Sequence, residues 1–137
     1  MGNFLINNIG WVMLAVVSAA LLIWPMLQGK VSGAREVGTL EATQLINHSN
    51  ALLVDVREDK EFAEGHIPNA RHIPLRALPG RLKELEAAKS RPIIVNCRSG
   101  ARSASACGVL RKNGFEEVYN LRGGLNAWQQ AGLPIEK

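Results

Sequence analysis

Cys97 stands between the apolar run Pro92-Ile-Ile-Val-Asn and the short polar run Arg98-Ser99-Gly100-Ala101-Arg102-Ser103. Pro92 to Val95 predicts a brief buried strand, and Ser103 to Asn113 predicts a helix that Gly114 ends. A strand that turns through a tight loop into a helix start aims successive backbone N–H groups at one point. The positive end of the helix dipole lies behind them, and the whole is a cradle for an anion. A cysteine at its mouth is favoured as thiolate, and Arg98 and Arg102 push the same way. Such surroundings bring a thiol pKa from about 8.5 to roughly 3.5–7.5. The bland alternative is a buried structural cysteine, but the two arginines and the loop favour a nucleophile.

The neighbouring elements must hold that loop. Leu52-Leu-Val54 predicts a second buried strand that ends in Asp55-Val56-Arg57. Ala70 to Ile73 predicts a brief extended piece, and Val118 to Leu121 a last strand. Between them lie helical patterns: one from Thr39, as cap, to Ile46 with Leu40, Leu45 and Ile46 facing the core, and a single turn at Lys60–Ala63. Leu82 to Ala88 is amphipathic, with Arg81, Lys83, Glu84 and Glu86 outward, and Leu125 to Ala131 follows the turn at Gly123-Gly124. Strands alternating with helices predict an α/β domain, a parallel sheet with helices on both faces. Ligands of such sheets bind beyond the carboxyl ends of the strands, where Cys97 and Asp55 both fall.

The chain opens differently. No Lys, Arg, Asp or Glu precedes Lys30, and Ile9 to Leu27 is apolar apart from Ser18. As a helix that run spans about 28 Å, close to the hydrocarbon thickness of roughly 30 Å. Trp11 and Trp24 lie near its ends, where indoles favour a membrane interface. The expectation is a membrane anchor over residues 1–29 (one transmembrane helix, span about 9–27), a polar linker over 30–36 and one domain over 37–137. A cleaved signal peptide is the competing reading, with Ser32-Gly33-Ala34 as a weak cleavage site. It lacks a basic n-region and its apolar run is too long. Lys30 and Arg35 follow the run, which predicts a single pass in the cell inner membrane with the domain in the cytoplasm.

Sixteen basic and twelve acidic residues are interspersed after position 29, so the net charge of +4 is no nucleic-acid-binding stripe. Cys97 and Cys107 have no second pair and no histidine cluster beside them, which argues against a zinc site or disulfide scaffold. Cys107 reads as a small buried hydrophobe in the helix.

Residues 37–137 resemble a single rhodanese domain. The matching pieces are Leu53-Val-Asp-Val-Arg57, Glu64-Gly-His-Ile-Pro68, Cys97-Arg-Ser-Gly-Ala-Arg-Ser103 and Leu121-Arg-Gly-Gly-Leu125 with Trp128. The resemblance implies a sulfurtransferase whose loop cysteine, here Cys97, carries sulfane sulfur as a persulfide, with no cofactor and no metal. The loop from Arg98 through Ser99, Gly100, Ala101 and Arg102 to Ser103 would cradle the terminal sulfur. A small sulfur-containing anion such as thiosulfate is the implied donor, which Arg98 suits, and a thiol or cyanide the acceptor. Asp55 and Arg57 are expected to support the site by ion pairing. His66 is expected to be architectural rather than a base, and His48 and His72 to face solvent or pack.

Two other readings use the same loop. A cysteine phosphatase needs a roomier cradle, with five residues between Cys and Arg where this chain has four. A persulfide carrier that passes sulfur to a protein partner would share every residue named so far.

Overall fold

The computed structural model describes residues 2–31 and 35–137, with side chains for 2–24 and 35–137. The chain divides into two compact units, Met1–Val31 and Ser32–Lys137. The first holds α1 (Gly2–Asn7) and α2 (Ile9–Val31). Asn8 joins them, its backbone N–H and side-chain amide both donating to the Phe4 carbonyl at 3.1 and 2.9 Å. Phe4, Trp11, Leu14, Leu21, Leu22 and Trp24 are all exposed. Among the described residues no helix is long and apolar enough to cross a membrane, so the transmembrane anchor expected over residues 1–29 is not supported. The described side chains of α2 end at Trp24. Side chains 25–29 of the expected anchor lie outside the described ones, as does the backbone of linker residues 32–34.

The second unit is the expected α/β layer structure. In chain order it runs β1 (Arg35–Val37), α3 (Thr39–His48), β2 (Leu52–Asp55), α4 (Asp59–Glu64) and β3 (Arg71–His72). Two 3₁₀ segments follow, Leu75–Gly80 and Leu82–Ala88, then β4 (Ile93–Asn96), α5 (Ala101–Lys112), β5 (Val118–Leu121) and α6 (Gly124–Gln130). The five strands lie in the order β1-β5-β4-β2-β3, every pair parallel. Strand β1 was hidden in the linker reading: Arg35 and Glu36 pair with Tyr119 and Asn120.

Each face of the sheet carries its own core. Val54, Val95, Cys107, Leu110 and Phe115 gather with Leu78 and Leu85 of the 3₁₀ segments on one face. Val37, Ala42, Leu53, Ile94, Leu121, Leu125 and Trp128 gather on the other. Both cores need near-continuous apolar strands, and Ile93, Ile94 and Val95 supply one.

Three local expectations are corrected. Gly38, not Thr39, is the N-cap of α3, and Leu40 points outward at 72 % exposure. Ala42 faces the core, and a residue two positions away lies about 200° round the helix. Leu82–Ala88 is 3₁₀ rather than α: Leu82, Leu85 and Ala88 recur every third residue, and three residues per turn put them on one side.

Strands β2 and β4 are neighbours, yet the chain leaves β2 for β3 on one side and β4 for β5 on the other. Such a reversal opens a crevice beyond the two carboxyl ends. Residues 55–57 and 97–103 border it.

Candidate active site

Cys97 follows the central strand directly and is 1 % exposed. The loop after it turns at Gly100, whose φ of 109° is in the range that favours glycine. This turn brings the Gly100 N–H to 3.0 Å from Cys97 Sγ. Ser103, in the first turn of α5 and fully buried, sets its Oγ 3.4 Å from the same sulfur. Burial alone would push the Cys97 thiol up. The Ser103 hydroxyl and the N–H groups of Ser103, Gly100 and Ser99 more than offset it, so the pKa lies below the ordinary thiol value.

The cradle has a further member that the sequence reading passed over. Asn120, on β5, donates from Nδ2 to the Gly100 carbonyl at 3.0 Å and accepts at Oδ1 from Ser103 Oγ at 2.6 Å. The signal was an amide inside the otherwise apolar strand Val118-Tyr-Asn-Leu121. Ser103 has one hydroxyl proton and three acceptors in reach: Asn120 Oδ1, the Gly100 carbonyl at 3.1 Å and the Cys97 sulfur. While Cys97 is a thiol it can donate to Ser103 Oγ; once it is a thiolate the donation must reverse.

The loop carbonyls are tied down from the opposite side. Leu125 N–H donates to the Cys97 carbonyl at 2.8 Å, and Asn126 N–H to that of Arg98 at 3.1 Å. A Cβ on Gly124 would overlap both carbonyl groups, and φ there is 54°. Gly124 thus does more than permit a turn: it lets α6 press its backbone against the cradle.

The arginines stand otherwise than expected. Arg102 is held by Glu61 of α4 through both carboxylate oxygens, at 2.6 and 2.9 Å. Its hydrogen bond holds the Glu61 carboxyl down to about 2. Arg98 is exposed and, among the described residues, has no ion-pair partner. The Ser103 hydroxyl and the backbone N–H groups lead the lowering at Cys97, and the Arg102 charge adds less.

Asp55 and Arg57 form a buried fork, with Arg57 Nη2 2.8 Å from Asp55 Oδ2. The same guanidinium donates to the carbonyls of Gly65 at 2.7 Å and Glu61 at 3.3 Å. It therefore ties the end of β2 to α4, which carries the partner of Arg102. His66 and His72 both stack on the Phe62 ring, at 3.8 and 4.3 Å between centroids. His66 Nδ1 lies 3.0 Å from the Phe62 carbonyl and His72 Nε2 2.7 Å from that of Arg57. Both ring nitrogens named here are thus engaged with backbone carbonyls, and His48 is exposed.

Asn96 is a surprise. It ends β4 beside Asp55 in register, is fully buried, and neither amide atom has a hydrogen-bond partner. Cys107 packs in the core, where burial pushes its thiol up to about 12. Among the described residues no group of three His, Cys, Asp or Glu side chains could hold a metal ion.

The arrangement suits a thiolate that takes and releases a small anionic group. Comparison with known proteins gives the family of the fold. The family model for the rhodanese-like domain matches residues 39–131. A sulfurtransferase of Allochromatium vinosum is 45% identical over 92 residues, 67% of this chain and 84% of its own length. The thiosulfate sulfurtransferase GlpE of Actinobacillus pleuropneumoniae is 33% identical over 74% of this chain and 92% of its own. Among solved structures, a rhodanese-like domain protein of Staphylococcus aureus superposes with a TM-score of 0.65 at 35% identity, over 75% of this chain and 99% of that one.

Proposed function

This chain belongs to the rhodanese-like domain family, and from that premise we propose that it moves sulfane sulfur from thiosulfate to a thiophilic acceptor through a persulfide on Cys97. The observation that carries the reading is the Gly100 N–H, 3.0 Å from the Cys97 sulfur in a loop closed by Ser103 and Asn120. In the first half-reaction the Cys97 thiolate attacks the outer sulfur of thiosulfate. An S–S bond forms, the donor's own S–S bond breaks, and its electron pair leaves with sulfite. In the second, cyanide or a thiolate takes that outer sulfur and the bonding pair returns to Cys97. Charge stays on sulfur throughout, where preorganised N–H dipoles stabilise it best. Arg98, exposed and unpaired among the described residues, suits a dianionic donor at the mouth.

Four residues separate Cys97 from Arg102, a ring sized for one sulfur atom rather than a tetrahedral phosphate. Intact-protein mass tests the mechanism. Thiosulfate should add one sulfur, cyanide should remove it, and Cys97→Ser should show neither change. A cyanide-labile gain that persists in Cys97→Ser overturns the reading, as does turnover of an aryl phosphate at a comparable rate.

The same proposal places residues 1–29 at a membrane and residues 37–137 on its cytoplasmic side. The support is the absence of charged side chains before Lys30, the basic pair Lys30 and Arg35, and the exposed Phe4, Trp11, Leu22 and Trp24. Full-length chain should resist a carbonate wash, and a reporter after Lys137 should be active in the cytoplasm. Release by carbonate, or activity only on the far side, would refute it.

A further inference from the structure

A pocket of about 210 Å³ lies against the Cys97 loop. Its wall includes Arg57, Glu61, Glu64, Arg98, Gln129 and Ile135. At about 30 Å³ per water, that is room for about seven water molecules, small beside the 300–1,000 Å³ of drug-sized sites. It takes a molecule of a few heavy atoms.

The charges on its wall sort into two kinds. Arg57 is spent on Asp55, and Glu61 on Arg102. Arg98 and Glu64 remain, both exposed, and among the described residues neither has an ion pair or a side-chain hydrogen bond. One free cation and one free anion therefore look into the same small space. The polar groups of Asn126 and Gln129 and the aliphatic carbons of Leu125 and Ile135 complete it. Thiosulfate has a use for Arg98 but none for Glu64, which repels it.

The pocket also borders the loop of the sulfur carrier. Arg98 is the next residue to Cys97, and Leu125, another wall residue, donates its N–H to the Cys97 carbonyl. Cys97 is not itself a wall residue; a molecule seated between Arg98 and Glu64 lies one residue along the loop from it.

Resting on the sulfur-transfer reading, we infer that the acceptor this chain selects is a small zwitterionic thiol, one bearing both an ammonium and a carboxylate, with Glu64 taking the ammonium and Arg98 the carboxylate. Its thiolate attacks the outer sulfur of the Cys97 persulfide. A new S–S bond forms on the acceptor and the Cys97 Sγ–S bond breaks with its electron pair left on Cys97. The acceptor's thiol proton goes to solvent. Sulfane sulfur moves intact, so no oxidant or reductant enters.

Single-turnover transfer from full-length chain preloaded with thiosulfate tests this, because donor binding then drops out. Four thiols serve as probes: cysteine with both charges, cysteamine with the ammonium, 3-mercaptopropionate with the carboxylate, and 2-mercaptoethanol with neither. Rates are divided by the cyanide rate of the same protein, and variant is compared with wild type, so intrinsic thiol reactivity cancels. Glu64→Gln should lower the cysteine and cysteamine ratios about fivefold, the size of one solvent-exposed charge pair, and leave the other two within about twofold. Arg98→Gln should instead lower cysteine and 3-mercaptopropionate. An equal effect on all four thiols, or on none, overturns the inference while the sulfur-transfer reading stands. Failure to load cyanide-labile sulfur, visible before any thiol is added, overturns both.

Discussion

Glu61 grips Arg102 with both carboxylate oxygens, and so takes up the positive charge on the first turn of the helix behind Cys97. The same carboxylate accepts from the Glu58 N–H at the start of α4, so one side chain caps a helix and clamps the loop. The larger part of the thiolate's stabilisation then comes from neutral dipoles, the Ser103 hydroxyl and the loop N–H groups.

Glu61→Gln should therefore weaken the fold modestly and in a pH-dependent way. The folded-state carboxyl is held at about 2 against an ordinary 4.5. Its stabilisation is complete above about pH 4.5 and is lost as the pH falls toward 2. Because the pair is partly exposed, the difference from wild type should be about 1 kcal/mol or less at pH 7. Urea titrations at pH 7 and pH 2.5 would show the gap closing in acid; a gap that widens there contradicts the assignment.

Alkylation separates the two thiols. Cys97 lies below the ordinary thiol pKa and Cys107 is pushed up to about 12. Iodoacetamide at pH 7.5 should label Cys97 and spare Cys107. Ser103→Ala removes the hydroxyl that stabilises the thiolate and should move the labelling midpoint of Cys97 to higher pH. An unmoved midpoint would assign the lowering to the backbone alone.

Gly124→Ala tests the contact behind the cradle. The added methyl meets the Cys97 and Arg98 carbonyls at a φ of 54°. A cost of about 2 kcal/mol or more is expected, since backbone cannot yield as a side-chain tip does. Sulfur transfer to cyanide should fall further than the loss of folded protein explains. Gly132→Ala, at φ 74° with open space around its Cβ, is the control for conformational strain without the collision.

Asn96→Val should raise stability. Its buried amide has no partner, which costs about 1–3 kcal/mol, and a β-branched residue suits the strand. Thermal unfolding is the measurement. A lower midpoint would mean that the amide has a partner in solution, such as a buried water.

The sheet and the cysteine loop were legible because each has a local signature. The run Ile93-Ile-Val95 is apolar on both faces, and Gly100 and Gly114 bracket a helical pattern. The edge strand Arg35–Val37 was not, since it owes its existence to pairing with Tyr119 and Asn120 more than 80 residues away. Charge was harder still. Arg102 reads as a cation beside a thiol until Glu61, 41 residues earlier, is placed on it. Asn120 and Asn96 are both single amides in apolar strands, and nothing local says that the first completes a network while the second is orphaned.

The bonds from Leu125 and Asn126 to the carbonyls of Cys97 and Arg98 reach beyond the fold. In a trans peptide unit the C=O and the next N–H point in opposite directions. Tying two carbonyls to α6 thereby aims the N–H groups of Arg98 and Ser99 the other way. The direction of the cradle is written in main chain and guaranteed by a segment 28 residues downstream. Side chains at 98, 99 and 101 are thus free to vary with the molecules that visit, much as a socket keeps its contacts when the faceplate is changed.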